Sequence, residues 1–300
     1  MQVHHESQRP LDAALTLAPL RHGPFDPTVR RTRDGALWRT SLLPTGPVTQ
    51  RIVQDGPFSA VVQLWGDGAR EAADAIPVLL GEDDDATGFA PPSQLRDSAR
   101  LALGMRIPRT GRVLESLVPA VLEQRVQSAM AHLAWRALLL QHGTPAPGPA
   151  PAGLRVVPSP RAWAAVPSWD WHRAGVDPGR ARTAVACARL AARLETASRL
   201  APDEARALLE KVPGVGVWTS AEVAQRAFGD ADAVSVGDFN LPAAVGWALT
   251  GERTDDAGML RLLAPYVPHR HRVVRLITLQ GRPRAPRRGP RTSLADYRTF

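Results

Sequence analysis

Residues Leu208–Leu241 read LLEKVPGVGVWTSAEVAQRAFGDADAVSVGDFNL, and this stretch decides the fold. Helical patterning on both sides leaves only Val212-Pro213-Gly214-Val215-Gly216-Val217 for the reversal between two helices. Pro213 cannot continue a helix, and the two glycines permit positive φ and a tight turn. The second helix starts just past Gly216, so its free N–H groups and positive dipole end point outward, an arrangement that suits a phosphate. The same residues also make an ordinary αα-hairpin whose glycines serve only the turn. Further on, Asp238 follows Gly237 between the apolar run Ala233–Val236 and the next helix. Alone it reads as a helix N-cap, a common task for Asp. Hairpin and spaced acid together are more specific than either.

Working outward, the chain has 300 residues, enough for about two domains. The fold class expected is α+β. A small mixed α/β domain is expected over 1–105, with β-type runs at Ala36–Leu43, Val48–Gln54 and Phe58–Trp65 and a helix at Gly68–Leu80. The acidic run Glu82-Asp83-Asp84-Asp85 reads as a solvated loop, since it lacks the ligand spacing of a cation site. A helical region is expected over 106–280. Leu114, Leu117, Val118, Val121, Leu122, Ala129 and Leu133 keep one helical period, predicting a single long helix to about Gln141. Further helices are expected at Pro160–Ala165, Gly179–Leu194, Asp203–Lys211, Trp218–Phe228, Leu241–Leu249, Asp255–Leu263 and Pro268–Leu279. The segment 281–300 reads as a basic, flexible tail carrying Arg282, Arg284, Arg287, Arg288, Arg291 and Arg298 against Asp296.

Charge points to a partner class. The net charge is +8 and the pI about 11.0, which favours polyanions such as nucleic acid. Lys211 is the sole lysine, so a lysine Schiff base has to use it or the N-terminal amine. A single cysteine, Cys187, excludes an internal disulfide and a Cys-based zinc framework. No stretch has the length and apolarity of a membrane span, and the N-terminus lacks a secretory pattern. The expectation is a soluble, cytoplasmic monomer without a membrane partner, nucleoid-associated if bacterial.

Pro-Gly-Val-Gly, the helix after it and an aspartate at this spacing resemble the helix-hairpin-helix (HhH-GPD) DNA glycosylases. These base-excision enzymes include endonuclease III, the mismatch adenine glycosylase and the bacterial inducible 3-methyladenine glycosylase, whose branch is the most similar. The resemblance covers about Arg112–Leu279. Val121–Ser128 (VLEQRVQS) is similar to the family's helix whose Gln and following residue enter the gap left by a flipped nucleotide, here Gln124 and Arg125. Gly175–Leu194 is similar to the helix preceding the hairpin. The N-terminal part resembles the extra domain of the 3-methyladenine branch in layout alone.

The resemblance implies a function and a set of roles. The partner is double-stranded DNA with a damaged base, which must be extruded at a cost of a few kcal/mol. Gly214, Val215, Gly216, Val217 and Thr219 would hold the DNA backbone. No cofactor is required, though a K+ or Na+ ion on the backbone carbonyls of Val212, Val215 and Val217 is implied. Asp238 would stabilise the positive charge that builds on C1′ and the ring oxygen as the N-glycosidic bond breaks. Trp218 stands where the bifunctional enzymes resemble one another in a lysine, which implies a monofunctional glycosylase without lyase activity. Trp218 serves the base pocket or simply the core. The same pocket would include Phe239 and Glu222. Glu222 replaces an aromatic of the alkylation branch and either accepts a hydrogen bond from a base or pairs with Arg226. Arg125 departs from an apolar wedge and fills the gap or lies on the helix surface. A C-terminal tryptophan of that branch is replaced near Thr278. Pro268-His269-Arg270 resembles a segment near the backbone, making Arg270 a phosphate candidate. The expected substrate is an alkylated purine, with oxidised or deaminated bases open, and a non-catalytic DNA-binding role is the rival.

The remaining signals carry less. His4-His5 and His269-x-His271 do not share helix faces as metal ligands would, and Trp169-Asp170-Trp171-His172 reads as packing at a helix start or as a border of the lesion site.

Overall fold

The computed structural model describes residues 1–279. The tail expected at 281–300, and the contact with DNA expected of it, lie outside the described residues. The chain begins with β1 (Gln2–Glu6), α1 (Ala13–Leu17) and a 3-10 turn at Ala18–Leu20. Then follow β2 (Val29–Arg31), β3 (Leu37–Leu43), β4 (Gly46–Gln54), β5 (Ser59–Trp65) and α2 (Ala69–Leu79). The five strands form one antiparallel sheet in the order β1-β5-β4-β3-β2. Alternation along β5 turns Ala60, Val62 and Leu64 to one face, where Val48 and Ile52 of β4 meet Ala72, Ile76 and Leu79 of α2.

After α3 (Arg96–Leu101) the chain is mostly helical: α4 (Val113–Glu123), α5 (Ser128–His142), the short pair β6 (Thr144–Pro145) and β7 (Arg155–Val156), α6 (Pro160–Ala165), α7 (Ser168–Arg173), α8 (Pro178–Arg189) and α9 (Ala191–Leu194). Next come α10 (Pro202–Glu210), α11 (Val217–Val223) with a π-helical turn at Ala224–Phe228, α12 (Leu241–Thr250), α13 (Asp256–Leu263) and α14 (Arg270–Leu279). The protein is α+β. No described helix is long and apolar enough to cross a membrane. α4 is buried almost all round and forms the axis of the helical core with α5, α6 and α8. The indole rings of Trp135, Trp163 and Trp171 stack in series there, with centroids 6.1 and 5.8 Å apart. Trp171 is thus packing, while Trp169 is exposed. Leu95, Ala102 and Met105 pack with α12, α13 and α14 in a separate core, so α3 joins the C-terminal helices rather than the sheet.

Two expectations are corrected here. The helix predicted as continuous to Gln141 is broken at Gln124–Gln127. Arg125 adopts φ 54°, a left-handed conformation that costs a non-glycine residue about 1–2 kcal/mol and cannot extend a right-handed helix. The acidic loop is not simply solvated. Asp84 is buried and paired with Arg272 of α14, Glu82 pairs with Arg106, and Asp83 with Arg109. Asp84 also accepts the Ile107 amide at 3.0 Å. The loop therefore ties the N-terminal part to the last helix.

Candidate functional site

The hairpin between α10 and α11 is fixed from both sides. Val212 and Val215 are buried in the helical core, and the Val215 amide donates to the Val212 carbonyl at 2.9 Å. Gly214 has φ 90°, and a Cβ on it would lie 2.2 Å from Thr183 Oγ1 of α8, so both conformation and packing require glycine. Ser220 Oγ donates to Glu210 at 2.6 Å and staples the two helices together. Gly216 is exposed, and a Cβ on it would meet nothing within 4 Å; Val217 is exposed beside it. The first i→i−4 bond of α11 is Ser220 N to Gly216 O, so the amides of Val217, Trp218 and Thr219 precede it at the open end of the helix.

Gln124 belongs to this turn. Its amide donates to the Gly214 carbonyl at 2.9 Å and to Thr219 Oγ1 at 2.8 Å. Gln124 therefore braces the hairpin rather than projecting as a wedge, and Thr219 spends its buried hydroxyl inside the protein. Arg125, next in the chain, is exposed on the strained turn. That turn is held from behind, since Arg180 donates to the Leu122 carbonyl at 2.6 Å and Glu123 lies 3.5 and 3.6 Å from His22 and His132. Burial alone would raise the Glu123 carboxyl, but the two histidines override it and hold it well below the usual range.

Trp218 and Asp238 meet. Trp218 Nε1 donates to Asp238 Oδ2 at 3.1 Å across the gap between α11 and the start of α12. Asp238 Oδ1 accepts the Asn240 and Leu241 amides at 2.7 and 2.8 Å. One oxygen thus caps α12, and the other faces the hairpin helix. The run before it is positioned by Gln225 of the π turn, which donates to Ala233 O at 3.0 Å and Ser235 Oγ at 2.9 Å. Gly237, at φ 87°, makes the bend that presents Asp238.

Other expected members stand differently. Glu222 Oε2 accepts from Arg226 at 2.8 Å and Oε1 from Ser235, so of its two expected roles the ion pair is the one formed. Phe239 is 95% exposed. Of the three residues expected to line a base pocket, Trp218 and Glu222 are therefore engaged with Asp238 and Arg226, and Phe239 points to solvent. A cavity of about 410 Å³ lies elsewhere, against Leu42, Arg112, Trp163 and Glu195, and is reached by neither Trp218 nor Asp238. Arg270 is corrected as a phosphate ligand: Nε and NH2 grip Asp232 at 2.9 and 2.6 Å, which raises its pKa and spends its charge. Thr278, where a tryptophan was expected to be replaced, is exposed and donates to Val274 O at 2.9 Å. Among the described residues no cluster of three or more His, Cys, Asp or Glu is suited to a metal. Sequence reasoning missed the brace from Gln124 and the partnership of Ser235 with Glu222. Neither has a periodic signal, because both join segments distant in sequence.

No family model matches the chain. The probable bifunctional transcriptional activator/DNA repair enzyme AlkA of Mycobacterium tuberculosis is 32% identical over 223 residues, covering 63% of this chain and 43% of that protein. The chain thus spans less than half the length of this curated relative. The 3-methyladenine DNA glycosylase of Archaeoglobus fulgidus superposes with a TM-score of 0.75 at 16% identity, over 92% of this chain and 97% of that one. The 8-oxoguanine glycosylase/lyase of Clostridium acetobutylicum, in complex with double-stranded DNA, gives 0.70 at 12% identity over 92% and 96%. The two superpositions each cover 92% of this chain, which therefore has the fold of these two DNA glycosylases.

Proposed function

We propose that the chain is a monofunctional DNA N-glycosylase that hydrolyses the bond between deoxyribose and a damaged purine in double-stranded DNA. The bond from Trp218 Nε1 to Asp238 Oδ2 carries the reading. It brings a half-buried carboxylate against the helix that opens at the exposed glycine turn. A phosphate on the amides after Gly216 would place the adjoining sugar near that carboxylate. Departure of the base leaves positive charge on C1′ and the ring oxygen, and a fixed anion stabilises it. A non-catalytic binder needs the hairpin and the cap. It does not need the second oxygen of Asp238 on Trp218, and this favours the enzyme.

The other residues fit this assignment. Arg125 is exposed on its strained turn, and in this reading it would fill the gap left by an extruded nucleotide. The carbonyls of Val212, Val215 and Val217 form a neutral oxygen set of the kind that suits K+ or Na+. The Val212 carbonyl already accepts one hydrogen bond, from Val215 N, leaving its second lone pair for an ion. Lys211 is exposed at the end of α10, on the other side of the turn from Trp218. No lysine therefore stands in the place of an attacking amine.

Duplexes each carrying one alkylated, oxidised or deaminated purine test this. The expected result is release of free base with an intact strand at neutral pH and no borohydride-trapped adduct. Absence of release from every duplex contradicts the activity, and a trapped adduct contradicts the monofunctional assignment.

A further inference from the structure

α4 and α8 lie side by side with opposite directions, and the two ends of the pair differ. At one end Arg180, near the start of α8, donates to the Leu122 carbonyl near the end of α4, and Thr183 of α8 meets Gly214 of the hairpin. At the other end lies the cavity of about 410 Å³, lined by Arg112 and Glu115 around the start of α4 and by Ala188 and Arg189 at the end of α8. Glu115 and Gln124 are about 14 Å apart along the helix, so the cavity stands away from the turn at Gln124–Arg125. Its floor is apolar. Trp163, Ala188 and Ala191 are buried members of the helical core, and Leu42 of β3 adds an apolar wall from the sheet.

The charged side chains lining this cavity are two carboxylates and three arginines. Both carboxylates are occupied. Glu195 accepts the Val113 and Leu114 amides at 3.0 Å each and so caps α4. Glu115 accepts from Ser41 Oγ and the Leu42 amide and pairs with buried Arg39. The arginines keep spare donors. Arg161 and Arg189 are exposed, and their side chains make no hydrogen bond or ion pair among the described residues. Arg112 stands 3.8 Å from Glu195 through NH1, and its Nε is buried without an acceptor. A buried donor left bare is costly, so the position fits an acceptor that arrives with a ligand. Guanidinium groups over an apolar floor suit an apolar molecule with one anionic head, because the planar fork of arginine matches a carboxylate with two parallel bonds. The volume is that of a small-ligand site. A nucleic-acid backbone brings phosphates but no apolar body for the floor.

We propose that this cavity is a second binding site, for a small apolar carboxylate whose head is held by Arg112, Arg161 and Arg189 and whose body lies against Trp163, Ala188 and Leu42. The proposal does not depend on the glycosylase reading. The probe is octanoate, titrated into the full chain by isothermal calorimetry, with 1-octanol as the same chain without the charge. Octanoate is expected to saturate a single site with a Kd below about 1 mM. Binding of 1-octanol should be at least about tenfold weaker, the worth of a hydrogen bond between charged groups. The pair Arg161→Ala and Arg189→Ala alters only exposed positions and should weaken octanoate at least about tenfold. Arg33→Ala, at an exposed arginine outside the lining, should change nothing. An abasic duplex should leave octanoate bound, because the hairpin is at the other end of α4 and α8. Absence of octanoate binding, equal binding of 1-octanol, an unchanged Kd in the paired variant, an equal loss in Arg33→Ala, or displacement by the duplex each overturns the proposal.

Discussion

Asp238→Asn is expected to slow base excision by roughly a thousandfold, comparable with removal of a preorganised electrostatic group from an active site. The substitution keeps an oxygen able to accept the Asn240 and Leu241 amides, so the cap on α12 survives. It places an amide donor or an uncharged oxygen opposite Trp218 Nε1 and removes the negative charge. Affinity for an abasic duplex should change little, because the hairpin amides are untouched. Asp238→Ala should be equally inactive but also lose the cap, costing about 1 kcal/mol of stability. The pair separates the two tasks of one side chain. Single-turnover excision and chemical denaturation measure them, and normal excision by the asparagine variant would remove Asp238 from the chemistry.

The second large effect is on stability. Asp84→Ala is expected to destabilise the protein by about 3–5 kcal/mol, since it strands a buried guanidinium. The two side chains of the Asp84–Arg272 pair are only 3% and 5% exposed. Arg272 NH1 reaches Asp84 Oδ2 at 2.8 Å, and the guanidinium lies 5.7 Å from the Phe89 ring centroid. Removing Asp84 also leaves the Ile107 amide without its acceptor. The exposed Asp97–Arg100 pair is the control, at 94% and 77% exposure. Asp97→Ala should change stability by less than about 1 kcal/mol. Urea denaturation of both variants checks the contrast, and similar small losses would show that the loop is not what ties sheet to α14.

Local chemistry made the hairpin legible. Pro213 and Gly214 announce a turn without tertiary information, and the spacing to Asp238 follows from the helix between them. The strands β3, β4 and β5 were readable because each carries a run of β-formers bounded by turn residues. β1 and β2 were not. β1 is a polar QVHHE segment that becomes a strand only by pairing with β5, residue Gln2 opposite Gln63. The break at Arg125 was hidden because no Gly or Pro marks it, and the apolar period runs through it. The acidic loop looked solvated because the counter-ion of Asp84 comes from Arg272, far along the chain. Arg270 looked available for phosphate for the same reason, its partner Asp232 being separated from it by two helices. Charge on a residue type is visible in sequence, but whether that charge is already spent depends on contacts between distant segments.

Asp238 is expected to shelter a positively charged sugar. Equilibrium binding to two duplexes tests it most directly, one with a neutral tetrahydrofuran ring in place of the damaged nucleoside and one with a protonated pyrrolidine of the same shape. The unsubstituted chain should bind the cationic ring at least about tenfold more tightly, as differential transition-state binding requires, and Asp238→Asn should erase the difference. Equal affinity of the unsubstituted chain for the two rings would contradict it.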